Sequence, residues 1–260
     1  MFSTMAQRLQ ELMVLFFLAI FSKAVAGLKP YTRANLMPDA ANNNYCLSWR
    51  LAVEANNVRG WRTVPAQCLR YIEAYMIGGQ YDRDLEFITQ QIWSYVSGIV
   101  PSSDGWMPGF LTLMTLASPM SFTIRERDMG TCDPYDPAGF KAWALMGGCP
   151  AIPAVLRLFL DLVEGGFKVF LVTGRDQESL GQATADNLHN QGFIGYERLI
   201  LRTASYKGQS AVKYKSDIRK QLVEEGYRIW GNVGDQWSDL QGEFLGNRTF
   251  KLPNPMYFVP

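Results

Sequence analysis

The stretch Tyr227 to Leu240, YRIWGNVGDQWSDL, carries a run of strand-forming residues into two aspartates, Asp235 and Asp239, four positions apart. Tyr227, Ile229 and Val233 supply the aromatic and β-branched weight of a short strand, and Gly231 and Gly234 loosen its end. Two carboxylates just past the carboxyl end of a strand stand where open α/β sheets bind ligands, and they suit a hard, oxygen-seeking cation such as magnesium. In isolation the same pattern is met by a turn aspartate followed by a helix N-cap. A second stretch adds chemistry: the apolar run FKVFLV ends in Thr173-Gly174-Arg175, a hydroxyl and two backbone amides able to cradle an oxyanion. Lys213 and Lys215 offer an ammonium from the segment before the Tyr227 strand, with Lys215 preferred from its Tyr-Lys-Ser context. Hydroxyl, ammonium and paired carboxylates around a magnesium ion make a phosphate site.

The elements that must position these groups alternate from Pro150 onward. Pro153 stands at a helix start, Ile152, Val155, Leu156, Phe159 and Val163 form the buried stripe, and Gly165-Gly166 stops the helix. Phe167 to Val172 is continuously apolar, as in a strand buried on both faces of a parallel sheet. Gln177 to Gln191 reads as helix with Leu180, Ala183 and Leu188 inward, Leu199 to Leu201 as strand, and Gln209 to Glu225 as a charged amphipathic helix closed by Gly226. This order predicts an α/β fold with a doubly wound parallel sheet, the three candidate loops falling at one sheet edge. Before it, residues 27–100 predict an irregular arm, marked by Pro30, Pro38 and the Asn42-Asn43-Asn44 cluster, and then helices. Leu85, Ile88, Ile92, Tyr95 and Ile99 recur at helical spacing, and Trp49, Trp61, Tyr71 and Tyr75 read as packing aromatics.

The N-terminus predicts a secretory signal over residues 1–26: Arg8, an apolar core of about ten residues from Leu12 to Phe21, and the small-x-small pattern Ala24-Val25-Ala26. Entry to the secretory route makes two disulfides available to Cys46, Cys68, Cys132 and Cys149. A Cys46–Cys68 bridge would staple the N-terminal segment to itself. The same route makes Asn247, in the sequon Asn247-Arg248-Thr249, a glycosylation candidate in an extracellular or vacuolar protein. A net charge of +1 gives no electrostatic case for nucleic acid or an anionic membrane as partner, and a homodimer is one assembly open to a secreted enzyme of this size. One histidine, His189, excludes histidine-nucleophile, dinuclear-metal and Ser-His-Asp hydrolysis, and no GxGxxG run supports dinucleotide binding.

The segments FLVTGRD, YKSDIRKQLVEEGYRI, GNVGDQWSDL and RTFKLPNPMYFVP, with CLSWRLAVEANNV and WRTVPAQC between Cys46 and Cys68, resemble the plant acid phosphatase and vegetative storage protein family of the haloacid dehalogenase-like (HAD) superfamily. The resemblance covers nearly all of the chain after residue 26 and makes residues 101–260 the phosphatase domain. It implies a phosphomonoesterase that works through an aspartyl-phosphate with magnesium. Thr173 and Lys215 are then the catalytic phosphate-handling residues, Gly174 adds a phosphate-binding amide, and Asp235 and Asp239 are the metal carboxylates.

One part of that pattern is missing. The family's first motif, a strand ending in Asp-x-Asp-x-Thr that carries the nucleophile, belongs between Asp104 and Asp136, where the chain reads DGWMPGFLTLMTLASPMSFTIRERDMGTCDP. Leucine and threonine cannot replace a carboxylate that attacks phosphorus. Shifting the reading frame by one base resolves the gap. The junctions Trp106-Met107, Met107-Pro108 and Met114-Thr115 must then spell aspartate, alanine and aspartate. The remaining shifted codons permit Asp-Ala-Trp-Ile-Leu-Asp-Val-Asp-Asp-Thr, with the nucleophile straddling Leu111 and Thr112. The expectation is a compensated frameshift over residues 105–131, an enzyme impaired as written, and a damaged central strand limited by Pro108 and Pro119. The alternative is a catalytically inactive storage or ligand-binding glycoprotein.

Overall fold

The computed structural model describes residues 40–99, the backbone of 110–113, and residues 136–259. The expected signal segment, Cys132 and most of the span from Asp104 to Asp136 lie outside the described residues. Three helices come first: α1 (Ala40–Glu54), α2 (Leu69–Ile77) and α3 (Gln80–Val96). The Asn42-Asn43-Asn44 cluster, expected to be irregular, lies within α1. Asparagine competes with helix through its own side-chain hydrogen bonds, but the first helical turn has N–H groups without intrahelical partners, and buried packing further along decides the outcome. Here that packing is Trp49, Val53 and the Cys46–Cys68 disulfide.

After β1 (Phe110–Leu113) come α4 (Pro137–Leu145), α5 (Pro153–Glu164), β2 (Lys168–Asp176), α6 (Gln177–Asn190), β3 (Arg198–Arg202), α7 (Ala211–Glu224), β4 (Ile229–Gly234) and β5 (Arg248–Lys251). Helix α5 begins at Pro153 and ends in the hydrogen bonds Gly165 N–H to Asp161 O and Phe167 N–H to Leu162 O, with Gly166 at φ 79°. Asp176 caps α6 by accepting from the Ser179 N–H at 2.8 Å, and Ser210 caps α7 by accepting from the Lys213 N–H at 3.1 Å.

The five strands form one parallel sheet in the order β3-β2-β1-β4-β5. Backbone pairing puts β1 in the central position, with Leu113 in register with Leu171 on one side and Val233 on the other. The sheet thus keeps a central strand in the stretch expected to be damaged.

Successive residues of β2 go to opposite faces. Val169 and Leu171 join a core with Leu85, Ile92, Val155, Phe159 and Leu162, whereas Phe170 and Val172 pack with Tyr214, Ile218 and Leu222 of α7. Both faces are therefore covered, as the apolar FKVFLV run requires. The first of these cores is continuous from Cys46 through the N-terminal helices to Val233 and Phe250 of the sheet. Among the described residues, no helix is long and apolar enough to cross a membrane.

Candidate functional site

The carboxyl ends of β2, β1 and β4 lie side by side, with β1 between the other two. Thr173 is two residues past Leu171 and Asp235 two past Val233, so both stand at one level beyond Leu113, separated by two strand spacings, or roughly 10 Å. Helix α7 spans this gap through adjacent residues. The Tyr214 hydroxyl donates to Thr173 O at 3.1 Å, and Lys215 Nζ pairs with Asp239 Oδ1. Of the two candidate lysines, Lys213 faces solvent and pairs with Asp217, while Lys215 is 7% exposed. A buried ammonium is tolerated only beside an anion, and Asp239, 1% exposed, provides it.

The turn after β4 is built to hold that anion. Asn232 Nδ2 donates to Asp239 O at 2.9 Å, and the Gln236 N–H donates to Asp239 Oδ2 at 2.9 Å. Arg219, fully buried on α7, donates to the carbonyls of Asp239 at 3.0 Å, Gln241 at 2.7 Å and Glu243 at 3.0 Å. Burial pushes its guanidinium down to about 10, a shift opposed by the charge of Asp239. Burial pushes the Asp239 carboxyl above its ordinary range, Lys215 pulls it back, and Asp235 pushes it up again. Neither aspartate caps an α-helix: Asp239 closes a short 3₁₀ turn, Trp237–Asp239. Gly234 is required here, since a Cβ at that position would run into the Asp239 side chain.

At the other end of the cleft, β2 continues through Asp176, so Thr173 and Gly174 lie within the strand and not after it. The Arg175 N–H, expected to be open to a ligand, donates to Thr173 Oγ1 at 3.3 Å. The Arg175 guanidinium donates to Cys149 Sγ at 3.1 Å and Thr184 Oγ1 at 3.3 Å, and it lies over the Phe140 ring. Cys149 is buried, and Cys132, its counterpart in a second disulfide, lies outside the described residues. Beside Gly174 a cavity of about 610 Å³ opens, lined by Phe140, Lys141 and Arg175 among others.

The donor set fits a divalent cation. Asp235 and Asp239 are both buried and supply only oxygen, and Lys215 pairs with Asp239. Ser238, between them in sequence, has a buried Oγ with no hydrogen-bond partner among the described residues. Among these residues no cluster of three or more His, Cys, Asp or Glu side chains converges. Magnesium characteristically takes one or two carboxylates and completes its shell with water and phosphate oxygens.

A family model described as HAD superfamily, subfamily IIIB (acid phosphatase), matches residues 32–260. The chain belongs to this acid phosphatase family. Among its relatives, acid phosphatase 1 of Solanum lycopersicum is 38% identical over 217 residues, spanning 82% of this chain and 83% of the relative. The stem 31 kDa glycoprotein of Glycine max is 36% identical over 216 residues, covering 82% and 83%. Vegetative storage protein 1 of Arabidopsis thaliana is 35% identical over 218 residues, covering 83% and 79%. The class C acid phosphatase of Bacillus anthracis shares the fold, with a TM-score of 0.60 at 17% identity over 74% of this chain and 86% of that one. Membership makes the protein a phosphomonoesterase by family, and the expected α/β fold and family are both observed.

The candidate site also contains groups that no local sequence pattern marks. Arg219 looks like one more charge on an amphipathic helix, yet it is among the largest fully buried side chains. Asn254 and Tyr257, from the segment after β5, both donate to Asp235 Oδ2. They lie in a stretch of family resemblance, and no spacing rule links them to a residue about 20 positions earlier.

Proposed function

We propose that this chain carries a magnesium-dependent phosphomonoesterase site whose nucleophile is missing from the sequence as written. The reading rests above all on the buried Lys215–Asp239 pair beside Asp235, at the sheet edge of an acid phosphatase fold. Asp235 and Asp239 would hold the cation, which when bound neutralises phosphate charge. Lys215 supplies the fixed ammonium, and the Thr173 hydroxyl and Gly174 amide receive phosphate oxygens from the β2 side. The cavity beside Gly174 gives a small phosphate monoester room for its leaving group.

No Asp-x-Asp occurs between Asp104 and Asp136, and the strand Phe110–Leu113 carries no carboxylate to form the aspartyl-phosphate. The shifted-frame reading over residues 105–131 places the absent nucleophile at Leu111–Thr112, within the strand that pairs between β2 and β4. The same loss favours a second reading, a catalytically inactive storage glycoprotein, for which the storage-protein relatives give precedent. Secretory routing, a glycan on the exposed Asn247 and a homodimer complete the proposal.

Phosphate release from a chromogenic monoester tests it. The chain as written should show near-zero turnover, and a chain rewritten in the shifted frame should turn over only with magnesium. Robust magnesium-dependent turnover by the chain as written overturns the assignment. A codon other than TTG or CTG at Leu111 overturns the frameshift.

A further inference from the structure

Past β5 the chain runs Leu252-Pro253-Asn254-Pro255-Met256-Tyr257-Phe258-Val259, and Leu252 through Met256 are buried. This segment is fastened at two points, one on α1 and one at Gln236, the neighbour of Asp235. Glu54, at the end of α1, accepts from Lys251 Nζ at 2.7 Å and from the Asn254 N–H at 2.8 Å. Gln236 accepts from the Val259 N–H at 2.9 Å and donates to Tyr257 O at 3.2 Å. With its backbone fixed, the segment turns two side chains toward one carboxylate oxygen. Asn254 Nδ2 donates to Asp235 Oδ2, and the Tyr257 hydroxyl donates to the same atom at 3.1 Å. The Met256 N–H donates to Asn254 Oδ1 at 3.0 Å, which sets the amide so that its nitrogen faces Asp235.

Asp239 faces an ammonium, which compensates its charge. Asn254 and Tyr257 are neutral donors, so they orient Asp235 without cancelling the charge a cation would need. We propose that Asn254 and Tyr257 are positioning residues for a divalent cation held at Asp235, and that the segment after β5 thereby sets the affinity of the site. This rests on the reading of Asp235 as a cation ligand.

Manganese, a spin-active stand-in for magnesium, provides a readout independent of turnover. Binding to the full chain is followed by EPR of free Mn²⁺, with the melting temperature of each variant recorded alongside. Asn254→Ala should lower affinity on the order of tenfold, and Tyr257→Phe should lower it by a smaller factor with little change in melting. Lys251→Met loosens the segment at its far anchor, so it should lower the melting temperature while leaving affinity within about twofold. Asp235→Ala should remove binding. If Asp235→Ala removes binding while Asn254→Ala and Tyr257→Phe leave it intact, the positioning role is wrong and the ligand reading stands. Affinity that falls in step with melting temperature across all variants, Lys251→Met included, also overturns the positioning role. Unchanged affinity in Asp235→Ala, or no manganese bound by the parent chain, overturns the ligand reading and the inference together.

Discussion

At the scale of single residues, the contrast between Lys213 and Lys215 shows how position on one helix decides whether a charge is structural or superficial. Lys213 makes an exposed i,i+4 pair with Asp217, which solvent screens. Lys215 is buried against Asp239, with Asp235 close enough to raise the carboxyl of Asp239 further. Removing the ammonium leaves two buried carboxylates facing one another, so Lys215→Met should destabilise the protein by about 3–5 kcal/mol in the absence of divalent cation. Lys213→Met should leave the midpoint essentially unchanged. Urea midpoints with EDTA present measure both, and equal losses would place Lys215 outside the carboxylate cluster.

At the scale of elements, the parts that follow a simple period were legible. Helix α5, strand β2 and helix α7 show their buried faces as 3.6-residue stripes or a continuous apolar run, and each lies within a few residues of its expected bounds. Long-range packing was not legible: α1 runs through three asparagines because its later turns are stapled to Cys68 and packed through Trp49. The edge strand β3 was read from its apolar centre, but its charged ends fasten it. Lys168 pairs with Glu197, and Arg198 pairs with Glu225 at the end of α7. Hydrogen bonds from these cations hold both carboxyls below their ordinary range. A carboxyl depressed on folding adds stability above its unfolded value, near 4.3, and loses it as pH falls through the folded value. The side chains of Glu197 and Glu225 are 30% and 31% exposed, so screening limits each pair to about 0.2–1 kcal/mol. Glu197→Gln and Glu225→Gln should therefore lower the thermal midpoint slightly at pH 7 and match the parent below about pH 3. A deficit that persists at pH 3 would mean the residues act through packing.

At the scale of the whole molecule, the arrangement is one sheet edge served by β2, α7, the turn after β4 and the segment after β5. Lys215, Asp235 and Asp239 were legible because each lies within or just past an element with a clear pattern. The donors from Asn254, Tyr257 and Arg219 were not, since their roles depend on where distant segments land on the sheet. The central strand raises the same issue most sharply. Phe110 to Leu113 keep the backbone position between β2 and β4, although the residues there carry no carboxylate. Holding a strand in place requires main-chain pairing and an apolar run; tightening a cation site takes a further oxygen ligand at its end. Rewriting this stretch in the shifted frame should therefore change ligand binding more than fold. A ligand that binds only the folded state stabilises it by RT ln(1 + [L]/Kd), about 2.7 kcal/mol at a hundredfold excess over Kd. The rewritten chain should gain up to about that much in millimolar magnesium, while the chain as written, with only Asp235 and Asp239, should gain well under 1 kcal/mol. Equal magnesium-induced shifts in the two denaturation midpoints would show that the central strand contributes nothing to the cation site.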